Sequence, residues 1–538
     1  MMTTSEGISA ALEEAVRLWK DAVGVDNVVT DAAALSARAR ATFASANRIA
    51  ALVRPGSVEE VQACMRIATT KGVPVYPVSS GRNWGYGSSL PVGDGNVILD
   101  LSRMNRILEI DARLAYATVE PGVTQGQLLA ALARTDPALW LDATGSSPDC
   151  SIVGNTMERG FGHTPYGDHF GHACALQVVL PDGQLVETGF GQFPGAAATP
   201  VYRWGVGPAI DGLFTQSNLG IVTRMTVWLM PRPEYFQAFF FRAREGALEH
   251  VVDALRTLRL EGSLRSAIHF VNAYKVVSSN GRYPWDLADG TGRLPDEAMR
   301  RLMAQWGCEA WNGSGALYGS HAQVAASRRR VSSLLRRHVS ELRFLDDRLI
   351  AVAGRLRRPY KWVTGVDLSQ AMELVRPVYE LMKGIPTSRM LASAYWRKRT
   401  IPADCDPDRD RCGLIWANAV APADPVQVRR MVRIVEAVFA RHPFEPAMSM
   451  TLRTERTVDN IISITYDRDR EGEDARARAC HDELTSALMD AGFYPYRLGV
   501  HSMALVGSRR DAPGRRLIAQ LKKTLDPAGI LAPGRYEG

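Results

Sequence analysis

The 538-residue sequence has no long apolar run, no paired cysteines and no common nucleotide-binding fingerprint. No stretch reaches the roughly 18 apolar residues of a membrane span, and charges are spaced through the N-terminal segment, so we expect neither a membrane helix nor a signal peptide. The seven cysteines are scattered without a CxxC pair, which argues against a disulfide framework or zinc site and favours a cytoplasmic location. Because GxGxxG and GxxxxGK[ST] are missing, neither a Rossmann site nor a P-loop is supported.

Charge gives little indication of a partner. The formal net charge of +7 is spread over the whole chain and indicates an anionic partner only weakly. The densest basic stretch, ASRRRVSSLLRRH at 326–338, places Val331, Leu334 and Leu335 at helical spacing with arginines between them. That pattern is typical of a solvated helix face, so we expect no nucleic-acid partner.

The first half of the chain has the pattern of an α+β domain. Short β-rich runs such as VPVYPV, NVILDL and ALQVVLPDG alternate with turns, and Ser57 with Glu60 predicts the start of an amphipathic helix. Longer helical segments follow, with strands predicted at YFQAFFFRA and NIISITYDR. We predict a first domain over 1–233 with its core at 45–233, a second over 234–485, and a C-terminal segment, 486–538, that completes the first.

A cluster of glycines follows an apolar run in VSSGRNWGYG, at 78–87. Gly81, Gly85 and Gly87 allow positive φ and leave backbone N–H groups accessible, which suits the close approach of an anionic group. On composition alone the cluster also fits a plain turn.

The sequence around this cluster resembles the FAD-binding domain of the vanillyl-alcohol oxidase and p-cresol methylhydroxylase family. The resemblance rests on RPGSVEEVQACMRIATTKG and the glycine cluster, on VGNTMERGFGHTPYGDHF, on DGLFTQSNLGIVTRMTVWLMP and on the C-terminal LDPAGILAPGR. It covers most of the first domain and the C-terminal segment and is weaker between them. It implies a two-domain FAD-linked oxidase fold, in which a cap domain encloses the substrate against the FAD-binding domain.

The resemblance also implies which residues contact FAD. The glycine cluster would wrap the pyrophosphate, while SIVGN at 151–155 and GIVT at 220–223 would run along the rest of the cofactor. The implied residues are Gly81, Arg82, Asn83, Cys150, Ser151, Gly154, Asn155, Ile221 and Val222. Small residues let a flat cofactor approach the backbone, although glycine-containing turns would have the same sequence without a flavin.

On the substrate side, the family holds a phenolic oxygen with two tyrosines and an arginine. The matching residues here are Tyr86, Tyr496 and Arg497. Two phenol donors and a guanidinium that converge on one oxygen favour its ionised form. The resemblance therefore implies a phenolic substrate, whose electron release stabilises the positive charge left when hydride departs from the para carbon.

The aspartate that the family carries near the reactive flavin atom is displaced in this sequence. Its position holds Ser146, whereas Asp149 lies three residues later in TGSSPDCSIVGN. Asp149 takes the carboxylate role if the loop is rearranged. The alternative is a site that lacks this base and handles different chemistry.

A covalent link between the chain and a flavin needs a nucleophile. No histidine occurs between residues 338 and 442, where the family's cap domain often supplies one, and that region offers Cys405, Cys412 and the more distant Tyr395. Cys150 lies in DCSIVGN, which resembles the CPTVG stretch of berberine-bridge-type oxidases, where the cysteine bonds to flavin. We favour noncovalent FAD, with links through Cys150 and then Cys412 as the alternatives.

Three histidines, His163, His169 and His172, occur together in GHTPYGDHFGH. Their spacing is loose and matches no known ligand pattern, so we expect no metal site.

We therefore predict an FAD-dependent oxidase or dehydrogenase that removes hydride from the carbon para to a phenol. The electron acceptor would be oxygen or an electron-transfer protein. One alternative keeps FAD but takes a non-phenolic alcohol or hydroxy acid, and another is a non-catalytic basic binding protein on the same fold. The resemblance also implies dimers or larger assemblies.

Overall fold

The computed structural model describes residues 5–288, 293–352, 368–507 and 509–537. Its α-helices are α1 Ser5–Val23, α2 Ala32–Arg38, α3 Val58–Lys71, α4 Gln125–Leu132, α5 Ile152–Met157, α6 Leu248–Leu260, α7 Ala273–Asn280, α8 Asp296–Trp306, α9 His321–Leu335, α10 Leu368–Leu381, α11 Pro425–Phe439, α12 Glu473–Asp490, α13 Met503–Gly507 and α14 Ala512–Leu525. Its strands are β1 Val28–Val29, β2 Ile49–Val53, β3 Val75–Val78, β4 Asn96–Asp100, β5 Ile107–Asp111, β6 Tyr116–Val119, β7 Leu139–Trp140, β8 Ala173–Val179, β9 Leu185–Glu187, β10 Ile221–Trp228, β11 Met230–Pro231, β12 Tyr235–Ala243, β13 Ile268–Asn272, β14 Trp311–Gly319, β15 Glu341–Leu345, β16 Cys412–Pro422, β17 Ala447–Leu452 and β18 Thr457–Asp467.

Helix α3 illustrates how local sequence fixes an element. The Ser57 hydroxyl accepts a hydrogen bond from the Glu60 amide at 3.2 Å, and the Glu60 carboxylate accepts one from the Gly56 amide at 2.6 Å. The helix ends at Gly72, whose φ of 65° lies in the left-handed region that favours glycine. The helix start predicted from Ser57 and Glu60 is confirmed.

The strands up to β11 form a four-stranded sheet, a five-stranded sheet and a two-stranded ribbon. In the first of these, β2, β4 and β3 run parallel, and the glycine cluster follows directly after β3. The end of the chain returns to this sheet, because the Val75 amide donates to Ile530 O at 2.8 Å and the Ala532 amide donates to Val75 O at 2.7 Å.

Strands β12 to β18 form a seven-stranded sheet in the order β15-β12-β14-β13-β17-β18-β16. Helices α6, α9, α11 and α12 cover one face, where apolar side chains such as Leu255, Val432, Ile462 and Leu484 form one buried core. Since successive strand residues point to opposite faces, the residues next to these core positions along each strand point away from the four helices. The expected domain boundary after residue 233 falls between this sheet and the preceding ones.

In the part of the chain that the structure describes, no helix is both long and apolar enough to cross a membrane.

Candidate active site

A cavity of about 410 Å³ lies between the glycine cluster and the other face of the seven-stranded sheet. One wall is formed by the continuous run 76–84, and others come from the beginning of α5 and of β10. All the residues implied to contact cofactor or substrate line it, with the exception of Asp149. These are Gly81, Arg82, Asn83, Tyr86, Cys150, Ser151, Gly154, Asn155, Ile221, Val222, Tyr496 and Arg497.

The glycine wall has the properties of a cradle for an anionic group. Gly81 has a φ of 71°, and a Cβ there would lie 2.3 Å from the Ser89 hydroxyl. Within the described residues, the amides of Gly81, Arg82 and Asn83 donate no hydrogen bond to the protein. Free amides beside a guanidinium fit the pyrophosphate of FAD, since such donors stabilise phosphate oxygens.

The side chain of Arg82 is held in place from the cap side of the cavity. Its Nη1 donates to Asp406 Oδ2 at 2.7 Å. Nearby, burial raises the pKa of Asp408 to about 7, and the negative charge of Asp406 adds to this effect. The loop that contains both aspartates therefore holds Arg82 of the glycine cluster across 324 residues of chain.

The SIVGN segment begins helix α5 and is joined to the glycine cluster. The Ser151 hydroxyl accepts from the Gly154 amide at 2.9 Å, as an N-cap does, and the Ser151 amide donates to the Ser80 hydroxyl at 3.2 Å. A Cβ on Gly154 would lie 2.3 Å from the Ser79 hydroxyl. The close approach of these two backbone segments is what the glycine provides.

The three clustered histidines have separate environments. His169 bridges Asn155 Oδ1 at 2.6 Å and Asp142 Oδ1 at 2.8 Å, and His172 lies within hydrogen-bonding distance of the Asp168 carbonyl. Burial opposes ionisation of Asp142, but hydrogen bonds from His169 and Thr164 outweigh it and keep its pKa below the usual value. Among the described residues, no three His, Cys, Asp or Glu side chains are grouped to hold a metal ion.

His163 is the member of this group that faces the cavity. Its ring stacks on His269 with centroids 3.9 Å apart, and both rings line the cavity. Burial lowers the pKa of His163 to about 4 and that of His269 well below its usual value. The two imidazoles are therefore neutral near pH 7.

Tyr86, Tyr496 and Arg497 meet at one point of the cavity wall. Both tyrosines line the cavity, and the Arg497 guanidinium carbon lies 4.3 Å from the centroid of the Tyr86 ring. Burial raises the pKa of both tyrosines, so both remain protonated donors. Two hydroxyls and a guanidinium suit an oxygen that carries negative charge.

Residues that the sequence did not single out hold this cluster. Asn418 Nδ2 donates to the Tyr86 hydroxyl at 3.4 Å and to Arg497 O at 2.9 Å. Arg497 Nη2 donates to Asn83 Oδ1 at 2.5 Å, which joins the substrate cluster to the glycine cradle. Glu158 lies 3.3 Å from Arg497 Nε and also pairs with Arg535.

The seven-stranded sheet contributes a further wall, with Trp416, Ser449, Thr451, Ile461 and His269 facing the cavity. Lys275, near the start of α7, also lines it. Its Nζ lies 3.2 Å from Ser393 Oγ and 3.4 Å from Ser463 Oγ. Burial lowers the pKa of Lys275 to about 8. Only the long-range packing of α7 identifies this lysine as a cavity residue.

The remaining candidates lie in different places. Asp149 is exposed and outside the cavity, whereas Cys150 lines it, with Sγ 3.2 Å from Ser146 Oγ. Burial raises the pKa of Cys150, and that of Cys412 to about 12. Cys412 is buried outside the cavity beside Tyr395, whose hydroxyl donates to Asp410 Oδ2 at 2.6 Å.

Known proteins match the chain over nearly its whole length. Residues 49–189 match the model of an FAD binding domain, and residues 460–536 match the C-terminal domain of FAD linked oxidases. The 1'-carboxy-chondrochloren decarboxylase of Chondromyces crocatus is 46% identical over 98% of this chain and 97% of its own. The 4-cresol dehydrogenase [hydroxylating] flavoprotein subunit of Pseudomonas putida is 30% identical over 97% and 95%. A crystal structure of p-cresol methylhydroxylase with substrate bound superposes with a TM-score of 0.87 at 30% identity, covering 98% of this chain and 97% of that one.

Proposed function

This chain belongs to the FAD-linked oxidoreductases of the vanillyl-alcohol oxidase and p-cresol methylhydroxylase family, and from that premise we propose that it oxidises a para-substituted phenol. The cofactor is FAD, and the expected enzyme class and fold are confirmed. The observation that carries the choice of substrate is the convergence of Tyr86, Tyr496 and Arg497 on one point of the cavity.

These three groups determine the protonation state of the substrate. A phenol placed with its oxygen at this point receives hydrogen bonds from two neutral tyrosines and faces a guanidinium. Charge-assisted hydrogen bonds favour the phenolate over the phenol. Among the described cavity residues, Glu158 is the only carboxylate, and it lies between Arg497 and Arg535. One negative charge beside two positive charges leaves a net positive charge, which attracts the phenolate.

Ionisation of the oxygen prepares the para side chain for oxidation. The phenolate returns electron density through the ring as hydride leaves the side-chain carbon, which turns the substrate into a neutral quinone methide. When bound, FAD supplies the two-electron acceptor for that hydride. The residues implied to bind FAD are those of the glycine cradle, of SIVGN and of the start of β10. The oxidant that regenerates FAD is oxygen or an electron-transfer protein.

A second candidate reaction ends in loss of CO₂. Among the described residues, the cavity has no carboxylate near Ser146, and Asp149 is outside it, so none of these residues is an acid placed there to activate water for addition to the quinone methide. A carboxylate on the next carbon of the side chain needs no such base: its C–C bond breaks, CO₂ leaves, and the electron pair restores the phenolate and forms an alkene. The 46% identical relative from Chondromyces crocatus is a decarboxylase, which supports this candidate.

Matched substrates test the proposal. Purified holoenzyme is assayed with 4-ethylphenol, with its O-methyl ether and with a benzylic alcohol that has no phenol group, using oxygen and an artificial electron acceptor. We expect turnover of the phenol alone, because an ether oxygen cannot ionise. Comparable turnover of the ether or the alcohol would contradict a phenolate mechanism and favour the non-phenolic alternative, and a protein that cannot bind FAD would favour the non-catalytic one.

A further inference from the structure

Lys275 is a buried cation that the oxidation of a simple alkylphenol does not use. Its ammonium group lies against two serine hydroxyls, Ser393 and Ser463, and 5.1 Å from the centroid of the Trp416 ring. The two hydroxyls accept from two of the three N–H donors of the ammonium, and among the described residues no hydrogen bond to a protein acceptor is formed by the third. The group lines the cavity, so this donor is available to a ligand.

No protein carboxylate balances this charge. Within the described residues Lys275 forms no ion pair, and Glu158, the single carboxylate of the cavity lining, pairs with Arg497 and Arg535 instead. A buried ammonium without a counter-charge is unfavourable, which is why burial depresses its pKa. An anionic ligand group beside it would recover much of this cost.

Strand register relates the contacts of Lys275 to those of the phenol cluster. In β16 and β18, Trp416 pairs with Ser463, and Asn418 pairs with Ile461. Lys275 contacts the first pair, and Asn418 of the second pair contacts Tyr86 and Arg497. Two residues along a strand correspond to about 6.8 Å, so Lys275 and the phenol cluster contact neighbouring positions on the same two strands.

We propose that Lys275 binds a carboxylate on the para side chain of the substrate, so that the preferred substrates are 4-hydroxyphenyl carboxylic acids. This inference rests on the proposed function, because it assumes that the phenolic oxygen lies at Tyr86, Tyr496 and Arg497. The acid then spans the cavity with a negative group at each end, each facing its own cation.

Equilibrium binding tests the assignment without turnover. The holoenzyme is reduced with dithionite under anaerobic conditions, so that no substrate can be oxidised, and is titrated calorimetrically with 3-(4-hydroxyphenyl)propanoate and with its methyl ester. We expect the wild-type protein to bind the acid about 10- to 100-fold more tightly than the ester, as for a hydrogen bond to a charged group. In Lys275→Met this preference falls to about one, while the affinity for the ester stays within about threefold.

Controls separate the outcomes. Lys523→Met removes an exposed lysine of α14 and should leave the preference for the acid intact. Retained FAD content and melting temperature in Lys275→Met show that the fold persists, as expected when a buried charge is replaced by an apolar chain of similar length. An unchanged acid-to-ester ratio in Lys275→Met, or an equal loss for both ligands, would overturn the assignment. If Tyr496→Phe changes binding of neither ligand, the proposed phenol site itself fails, whatever Lys275 does.

Discussion

Replacing Tyr496 with Phe removes one hydroxyl from the proposed phenolate site and leaves the other contacts of the residue in place. The Gln216 side chain still donates to Tyr496 O at 2.8 Å. The ring still packs on Phe161, with centroids 5.8 Å apart, and under the Arg453 guanidinium at 5.4 Å. What is lost is one proposed donor to the substrate oxygen.

The size of the effect follows from the charge on that oxygen. A hydrogen bond to an ionised group contributes about 1.5–3 kcal/mol. Since about 1.4 kcal/mol corresponds to a factor of ten in rate, kcat/KM for 4-ethylphenol should fall roughly 10- to 100-fold if the bond acts in the transition state. FAD binding should be unaffected, because Arg497 rather than the Tyr496 hydroxyl contacts Asn83 of the glycine cradle.

The assay compares kcat/KM, bound FAD from the visible spectrum, and melting temperature in the wild type and the variant. Tyr494→Phe is the matched control, because Tyr494 is exposed and lies two residues away in the same segment. We expect a loss of turnover in Tyr496→Phe alone, with FAD content and melting temperature unchanged. Wild-type kcat/KM in the variant, or a loss of FAD in proportion to the loss of rate, would refute the assigned role.

Three further predictions concern the cofactor site and the cap loop. Gly81→Ala should weaken FAD binding about tenfold or more, because an L-residue at this φ costs about 1–2 kcal/mol and the new methyl group meets Ser89. The affinity is measured by titrating apoprotein with FAD. The control variant Gly246→Ala, at a site with open space, should leave it unchanged. The Asp408 pKa of about 7 lies above its unfolded value of 3.8, so protonation of this group stabilises the folded state as pH falls from 7 to 4. Asp408→Asn should therefore raise the melting temperature at pH 8 but not at pH 4. An equal effect at both pH values would be inconsistent with that pKa. After acid precipitation we expect FAD in the supernatant. Flavin retained in the pellet would be located by peptide mass, with Cys150, which lines the cavity, as the expected carrier and Cys412 as the less favoured alternative. A histidyl–flavin peptide would contradict the prediction.

Local sequence was sufficient for the elements and for the cradle. The strands predicted at YFQAFFFRA and NIISITYDR are β12 and β18, and Ser57 caps α3 as its spacing to Glu60 predicts. The glycine cluster could be identified because positive φ and close backbone approach restrict the residue type at each position. Such constraints act within a few residues, so they can be recognised in the local sequence.

The groups that complete the site could not be found in this way. Asn418 contacts Tyr86 across 332 residues of chain, and Lys275 meets Ser463 across 188. Neither residue lies in a motif: strand β16 brings Asn418 to Tyr86, and the packing of α7 brings Lys275 to the cavity. The placement of Asp149 was equally inaccessible, because whether a loop carboxylate faces a cavity or solvent depends on how the loop packs.

The most direct test of the account is anaerobic rapid mixing of the oxidised holoenzyme with 4-ethylphenol or with its O-methyl ether, followed by the absorbance of the flavin. We expect rapid bleaching of the oxidised flavin band by the phenol and none by the ether. The rate of bleaching by the phenol should be lower in Tyr496→Phe. Equal bleaching by the phenol and the ether would contradict the proposal that this chain oxidises phenols held as phenolates. The absence of bleaching by both the phenol and 4-hydroxyphenyl carboxylic acids would contradict it as well.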